Sequence, residues 1–121
     1  MTAREQIDKA IGAHGMWKAR IRQAMETGKS EFNPAVVKAD NNCDFGKWLY
    51  GDIAPELKKS PLYKTILQYH AEFHVEASRV LQLALSGKKD EAEKGIVSSS
   101  KYAAISASLT ASMMEWKRAV A

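Results

Sequence analysis

The chain has 121 residues, the length of one domain, and it can bury a core without disulfide bonds. Hydrophobic residues make up 45% and charged residues 26%, which excludes a chain that is disordered throughout. The net charge is +4, but the basic residues are spread along the chain, whereas nucleic-acid binding needs them clustered on one face. We therefore expect a single domain over residues 1–121 that binds no nucleic acid.

The cysteine content and the apolar runs predict a cytoplasmic protein. Cys43 is the single cysteine and cannot form an intrachain disulfide, which suits a reducing compartment. No apolar run approaches the ~18 residues that span a bilayer. Residues 1–6 also lack the basic-then-apolar order of a secretory signal. We expect neither secretion nor a membrane partner.

The first predicted element is a helix from about Thr2 to Thr27. Apolar residues and one histidine recur along it at steps of three and four, which is the spacing of one helical face. These residues are Ile7, Ile11, His14, Trp17, Ile21 and Met25. Gly12 and Gly15 lower the helix propensity locally, and Gly28 stands where a glycine would end the helix.

Residues 30–60 are punctuated by proline, glycine and asparagine, which is typical of a connection. Within this connection the segment Cys43–Tyr50 is predicted to form a helix of about two turns, closed by Gly51. Asn42 is the predicted N-cap of this helix, which would place Cys43 in its first turn.

Two further helices are predicted to fill the rest of the chain. Ser60 and Pro61 have the residue types of an N-cap and a first helical position, and the helix that follows ends at Gly87. Its core face consists of Leu62, Ile66, His70, His74, Ala77, Leu81 and Leu85. The last helix, rich in serine and alanine, is predicted from Lys88 to about Arg118. The chain is thus predicted to be an all-α four-helix bundle with a short extra helix in the second connection, which carries the cysteine.

All three histidines occupy positions that the helical periodicity assigns to the core. His70 and His74, four residues apart, can share a metal ion, and His14 lies on the core face of the first helix. Buried imidazoles need a partner for each ring nitrogen, and a metal ion satisfies one nitrogen on each ring. Cys43 completes a tetrahedral set that suits Zn²⁺, while copper remains chemically compatible. The alternative is a set of hydrogen-bonded core histidines beside a small buried cysteine.

Other residues near these four are candidates for supporting roles. Trp17 and Trp48 are expected to form an apolar wall around the site, although ordinary core packing explains them equally well. A carboxylate of Asp40, Asp44 or Glu72 would orient one histidine, although such acids are more often solvated or capping groups.

Three segments resemble the chemoreceptor zinc-binding domain of bacteria. They are Ala13–Lys18, Cys43–Tyr50 and His70–His74. The family pattern has a first-helix His followed by Trp, then a Cys-x-(Phe/Leu)-Gly-x-Trp segment, then a His-x-x-x-His helix. The resemblance extends from about residue 7 to residue 87.

The resemblance implies a four-helix bundle that binds one Zn²⁺ through His14, Cys43, His70 and His74. Family members are attached to cytoplasmic chemotaxis receptors or diguanylate cyclases, where zinc or oxidants such as hypochlorous acid change signalling. These 121 residues contain no receptor coiled coil or cyclase domain beside the three matching segments. We therefore expect the chain to be either a free-standing family member or part of a longer protein. Such receptors and cyclases are dimers, which together with the small residues of the last helix implies a homodimer.

Three functions follow as hypotheses. The first is a sensory domain in which Cys43 is both zinc ligand and redox-sensitive group, since a helix N-terminus and Zn²⁺ both favour the thiolate. The second is a structural, zinc-stabilised dimerisation module. The third is a zinc hydrolase in which water replaces Cys43, but the histidine-bearing faces offer no convincing general base. We therefore expect a protein that is not an enzyme.

Overall fold

The computed structural model describes residues 2–120, which form seven α-helices and one 3₁₀-helix without any strand. The helices are α1 (Ala3–Gly15), α2 (Trp17–Thr27), α3 (Pro34–Lys38), α4 (Asp44–Tyr50), the 3₁₀-helix (Pro55–Lys59), α5 (Pro61–Leu85), α6 (Lys89–Lys94) and α7 (Lys101–Ala119). The predicted all-α bundle, with a short helix at the cysteine, is confirmed. Within residues 2–120, every helix is too short or too polar to cross a membrane.

The first predicted helix is divided in two. Thr2 begins α1 with a capping box shared with Glu5, and α2 ends at Gly28, whose φ of 72° is a conformation that glycine adopts without strain. Between them, at Met16, the helical hydrogen-bond pattern tightens into a turn. The two helices on either side of this break pack against different neighbours: α1 packs mainly against α4 and α7, and α2 packs mainly against α5 and α6.

The single last helix predicted from Lys88 to Arg118 is wrong, because α6 ends at Lys94 and α7 begins at Lys101. Ser100 is the N-cap of α7, and its hydroxyl oxygen accepts a hydrogen bond from the Ala103 amide at 3.1 Å. α6 has already ended at its C-cap Gly95, and Ser100 starts the new helix because serine side chains bind free backbone amides at helix starts.

The N-cap predicted for the short helix is also wrong. Asn42 does not cap α4; its side-chain amide donates to the Val36 carbonyl at 3.0 Å. Cys43 is the N-cap, and its sulfur accepts from the Gly46 amide at 3.4 Å. The sulfur therefore lies just before the first turn rather than within it.

The long helix α5 is the centre of the molecule and agrees with its prediction. The Ser60 hydroxyl oxygen accepts from the Leu62 amide at 3.2 Å, and Pro61 occupies the first turn. α5 contacts α2, α3, α6, α7 and the 3₁₀-helix. His70 and His74 lie buried near its middle, so the core is built around them.

Candidate metal centre

Four side chains from three parts of the chain meet in the interior. His14 comes from the last turn of α1, Cys43 from the N-terminus of α4, and His70 and His74 from one face of α5. Their potential ligand atoms all lie within 4.8 Å of one another. The three histidines are buried and the cysteine is half-buried. The cluster contains all four residues that the sequence singles out as metal ligands.

The distances within the cluster fit the edges of a tetrahedron. The Nε2 atom of His70 lies 3.1 Å from those of His14 and His74, which are 3.3 Å apart. The Cys43 Sγ lies 3.3, 3.5 and 4.0 Å from the Nε2 atoms of His70, His74 and His14. A tetrahedral Zn²⁺ site with ordinary bond lengths has nitrogen–nitrogen edges of about 3.3 Å and nitrogen–sulfur edges of about 3.6 Å.

Two backbone carbonyls determine which ring nitrogens carry hydrogen. The Nδ1 atom of His14 lies 2.8 Å from the Ala10 carbonyl oxygen, and that of His74 lies 2.8 Å from the Val37 carbonyl oxygen. A carbonyl oxygen only accepts, so each Nδ1 is the donor and each neutral ring presents a lone pair at Nε2. Two lone pairs facing each other at 3.3 Å repel unless a cation lies between them. The donor set therefore fits a metal ion.

Burial keeps the three histidines neutral at pH 7, as metal binding requires. Loss of hydration lowers the pKa of His14 to about 4 and that of His70 to about 2. Burial also lowers the pKa of His74, against opposing contributions from the Val37 carbonyl and from Asp40. No proton competes for these nitrogens near neutral pH.

The cysteine does not ionise through its helix position alone. Burial raises the pKa of the Cys43 thiol, and this effect outweighs the hydrogen bonds from the Gly46 and Phe45 amides. The helix N-terminus does favour the thiolate, as expected, but in the metal-free chain burial outweighs this effect. A coordinating metal ion is what would ionise this sulfur.

Two phenylalanines form the nearest apolar wall of the cluster. The Phe45 ring lies 5.2 Å from His70 and 6.0 Å from His14, and the Phe73 ring lies 5.3 Å from His14. Trp48 is one layer further out, stacked on Phe45 with ring centroids 5.8 Å apart. Trp17 is buried and faces a cavity that His14 also lines.

The three carboxylates considered as supporting groups differ in their surroundings. Asp40 accepts a hydrogen bond from the Tyr50 hydroxyl at 2.6 Å, and its charge opposes the lowering of the His74 pKa by burial. Asp44 is exposed and lies 3.6 Å from the Lys9 ammonium. Glu72 is exposed on α5.

The carbonyls that orient His14 and His74 are functional groups that side-chain reasoning missed. Ala10 precedes His14 by one helical turn, so this bond is recognisable from the sequence. Val37 is 37 residues from His74, and no local signal connects them. The Nδ1 atom of His70 is buried without a hydrogen-bond partner among the described residues.

Comparison with protein families agrees with this geometry. The family model described as "Chemoreceptor zinc-binding domain" matches residues 14–81, more than half of the chain. The chain belongs to this family. The matched range of the chemoreceptor zinc-binding domain contains the whole cluster, so zinc is its metal. No curated protein and no solved structure shows a significant match.

Proposed function

We propose that this chemoreceptor zinc-binding domain is a sensory domain of bacterial signalling. In this proposal His14, Cys43, His70 and His74 bind one Zn²⁺, and the zinc-bound sulfur responds to oxidants such as hypochlorous acid or to zinc itself. One observation carries the proposal. The Cys43 sulfur lies 3.3–4.0 Å from all three Nε2 atoms, and Cys43 is only half-buried, so the residue that would hold the metal is also the member of the cluster open to a solvent-borne oxidant.

Oxidation of this sulfur would change the metal centre. Hypochlorous acid gives its oxygen to the thiolate, the sulfur loses two electrons to become a sulfenic acid, and chloride leaves. A sulfenic acid is a weaker zinc ligand than a thiolate, so three histidines would hold the metal. The seven-residue helix α4, whose N-cap is Cys43, would lose this attachment and shift together with Phe45 and Trp48.

Zinc release under oxidant tests the sensory proposal. We expect about one Zn²⁺ per chain in protein purified without added metal, and release of that zinc into a chromogenic chelator when hypochlorous acid is added. Cys43→Ala is the control for oxidation of methionine and other residues, and its release should not depend on oxidant. Equal oxidant-dependent release from both proteins would contradict the proposal, as would retained zinc in wild type whose Cys43 is oxidised by mass spectrometry.

The proposed output is a chemotaxis or cyclic-di-GMP signalling module, reached through a homodimer in the cytoplasm. An exposed strip on α7 supports dimerisation, since its residues recur at steps of three and four on the face away from the core. The strip consists of Ala104, Ala107, Ala111 and Met114. Sedimentation at micromolar concentration should give a dimer that Ala107→Glu dissociates. A monomeric wild type would contradict this part of the proposal.

The same exposed strip on α7 also supports a second candidate function, that of a structural zinc-stabilised dimerisation module. It would retain zinc and remain dimeric after oxidation of Cys43, so the release experiment separates it from a sensor. A zinc hydrolase is disfavoured because four protein ligands leave no coordination position for water. We therefore propose a regulatory protein rather than an enzyme.

A further inference from the structure

A cavity of about 300 Å³ lies beside the metal cluster, between α1, α2, α3 and the start of α4. Cys43, His14 and His74 line it, so it lies directly against three of the four residues of the cluster. The rest of its wall is largely apolar and includes Trp17 and Phe32. The cavity is large enough for a small organic molecule, and its wall places such a molecule against the cluster.

Arg20 gives this cavity a net positive charge. Its guanidinium lies 5.0 Å from the Trp17 ring centroid and 4.7 Å from that of Phe32, so two aromatic faces hold it at the cavity. Arg20 forms no ion pair within residues 2–120. The other two charged residues of the wall, Lys9 and Asp44, lie 3.6 Å apart and compensate each other.

We propose that this cavity binds small, negatively charged, thiol-reactive molecules and presents them to the Cys43 sulfur, with Arg20 as the residue that selects for negative charge. The proposal rests on the proposed function in one respect, because bound Zn²⁺ keeps the sulfur as a thiolate. A zinc ion with one thiolate and three neutral histidines carries a net charge of +1, which adds to that of Arg20. The apolar wall accommodates the body of the molecule, and its size excludes bulky reagents.

Methanethiosulfonates of opposite charge are suitable probes. The thiolate attacks the sulfenyl sulfur of the reagent, a disulfide bond forms, and methanesulfinate leaves with the electron pair of the broken sulfur–sulfur bond. The 2-sulfonatoethyl reagent is an anion, and the 2-(trimethylammonio)ethyl reagent is a cation of similar size. Their rates at Cys43 are followed by mass spectrometry of the zinc-loaded protein. Each rate is divided by the rate of the same reagent with N-acetylcysteine amide, which removes intrinsic reactivity.

We expect the normalised rate of the anion to exceed that of the cation by about fivefold or more, because the positive charge of Arg20 attracts the anion and repels the cation. Arg20→Gln should bring this ratio close to one. Arg22→Gln is the matched control, since Arg22 is on the same helix but pairs with Glu93 and does not line the cavity. It should keep the wild-type ratio. A wild-type ratio near one, or the same ratio in both variants, would overturn the proposal.

A second pair of variants tests whether reagents reach the sulfur through the cavity. Val36 lines it, so Val36→Trp should slow both reagents at least several-fold, whereas Val97→Trp outside the cavity should leave both rates unchanged. No modification of wild-type Cys43 by either reagent, or equal rates in the two variants, would overturn the proposal. Zinc content is measured separately. If the reagents show the charge preference but the protein binds no zinc, only the proposed function is refuted. If the protein binds zinc but shows no charge preference, only the cavity proposal is refuted.

Discussion

Gly46, in the first turn of α4, lies against the backbone of the segment that precedes Cys43. A Cβ atom at this position would overlap the Asp40 carbonyl oxygen and lie 2.8 Å from its carbonyl carbon. Backbone atoms cannot swing aside as a side-chain end can, so any larger residue must displace α4 or the Asp40 segment. Because the Gly46 amide also donates to the Cys43 sulfur, the displacement would reach the metal cluster.

Gly46→Ala should therefore destabilise the zinc-loaded protein by roughly 1–3 kcal/mol, as overpacking does, and weaken zinc binding. The matched control is Gly12→Ala, because a Cβ there has no neighbour within 4 Å. Alanine in a helix should stabilise this control by about 0.5–1 kcal/mol. Urea unfolding followed by circular dichroism measures both changes. Equal stability of the two variants would contradict the proposed contact.

The buried histidines also predict how stability depends on pH. Their pKa values are lowered in the folded chain, so the unfolded chain binds more protons and acid favours unfolding. In zinc-free protein, stability should be fully present above about pH 6.5 and should fall as the pH decreases toward 4. His14 and His70 should each contribute a slope of about 1.4 kcal/mol per pH unit, and His74 should act in the same direction. Urea midpoints of chelator-treated protein between pH 7.5 and 5 measure this slope. His70→Leu should reduce the slope of stability against pH by the contribution of one histidine. An unchanged slope in this variant would contradict the lowered pKa of His70.

At the scale of elements, the five-residue helix α3 depends on α5 for its stability. A helix of this length does not form alone in water. Two of its carbonyl oxygens accept hydrogen bonds from α5 side chains: Pro34 accepts from the Ser78 hydroxyl at 2.7 Å, and Val37 accepts from His74 at 2.8 Å. The second bond also orients a proposed zinc ligand, so the attachment of α3 and the metal cluster are coupled.

Ser78→Ala should lower the free energy of unfolding by about 1 kcal/mol, the usual contribution of one such hydrogen bond. The effect should be concentrated in α3, whose amide hydrogens would exchange faster than those of α5. Ser99→Ala is the control, because Ser99 is exposed and outside every helix. If α3 exchanges equally fast in both variants, the Ser78 bond does not hold it in place.

At the scale of the whole molecule, the metal cluster connects parts of the chain that are far apart in sequence. It joins α1, the start of α4 and the middle of α5; Cys43 is 29 positions after His14, and His70 is 27 positions after Cys43. An unfolded chain does not hold these four groups together, so zinc binds the folded state preferentially and stabilises it.

Removal of zinc by a chelator should accordingly lower the melting temperature by about 10 °C or more at saturating zinc, since a hundredfold excess over Kd contributes about 2.7 kcal/mol. Scanning calorimetry with and without chelator measures the change, and readdition of zinc should reverse it. His14→Phe, which lacks one proposed ligand, should respond much less. Identical melting of wild type in both conditions would contradict zinc binding at this cluster.

The sequence determines the long helix α5 and the inward positions of the histidines, because both follow from local signals, whereas the breaks that divide the first and last predicted helices do not. The step of four between His70 and His74 places them on one face of any helix, and the Ser60–Pro61 start of α5 depends only on neighbouring residues. The spacing of His14 from Ile11 and Trp17 likewise predicts its burial, which the structure has.

The meeting of these groups depends on tertiary packing. The start and stop residues around Cys43–Tyr50 predict a short helix, but only the packing of α4 against α1 brings the Cys43 sulfur within 4.0 Å of all three histidines. No local sequence pattern predicts the hydrogen bond between the Val37 carbonyl and His74 or the cavity beside Arg20. Both form where segments distant in sequence come into contact. The raised pKa of the Cys43 thiol has the same origin, because burial is a property of the folded molecule and outweighs the local effect of the helix N-terminus.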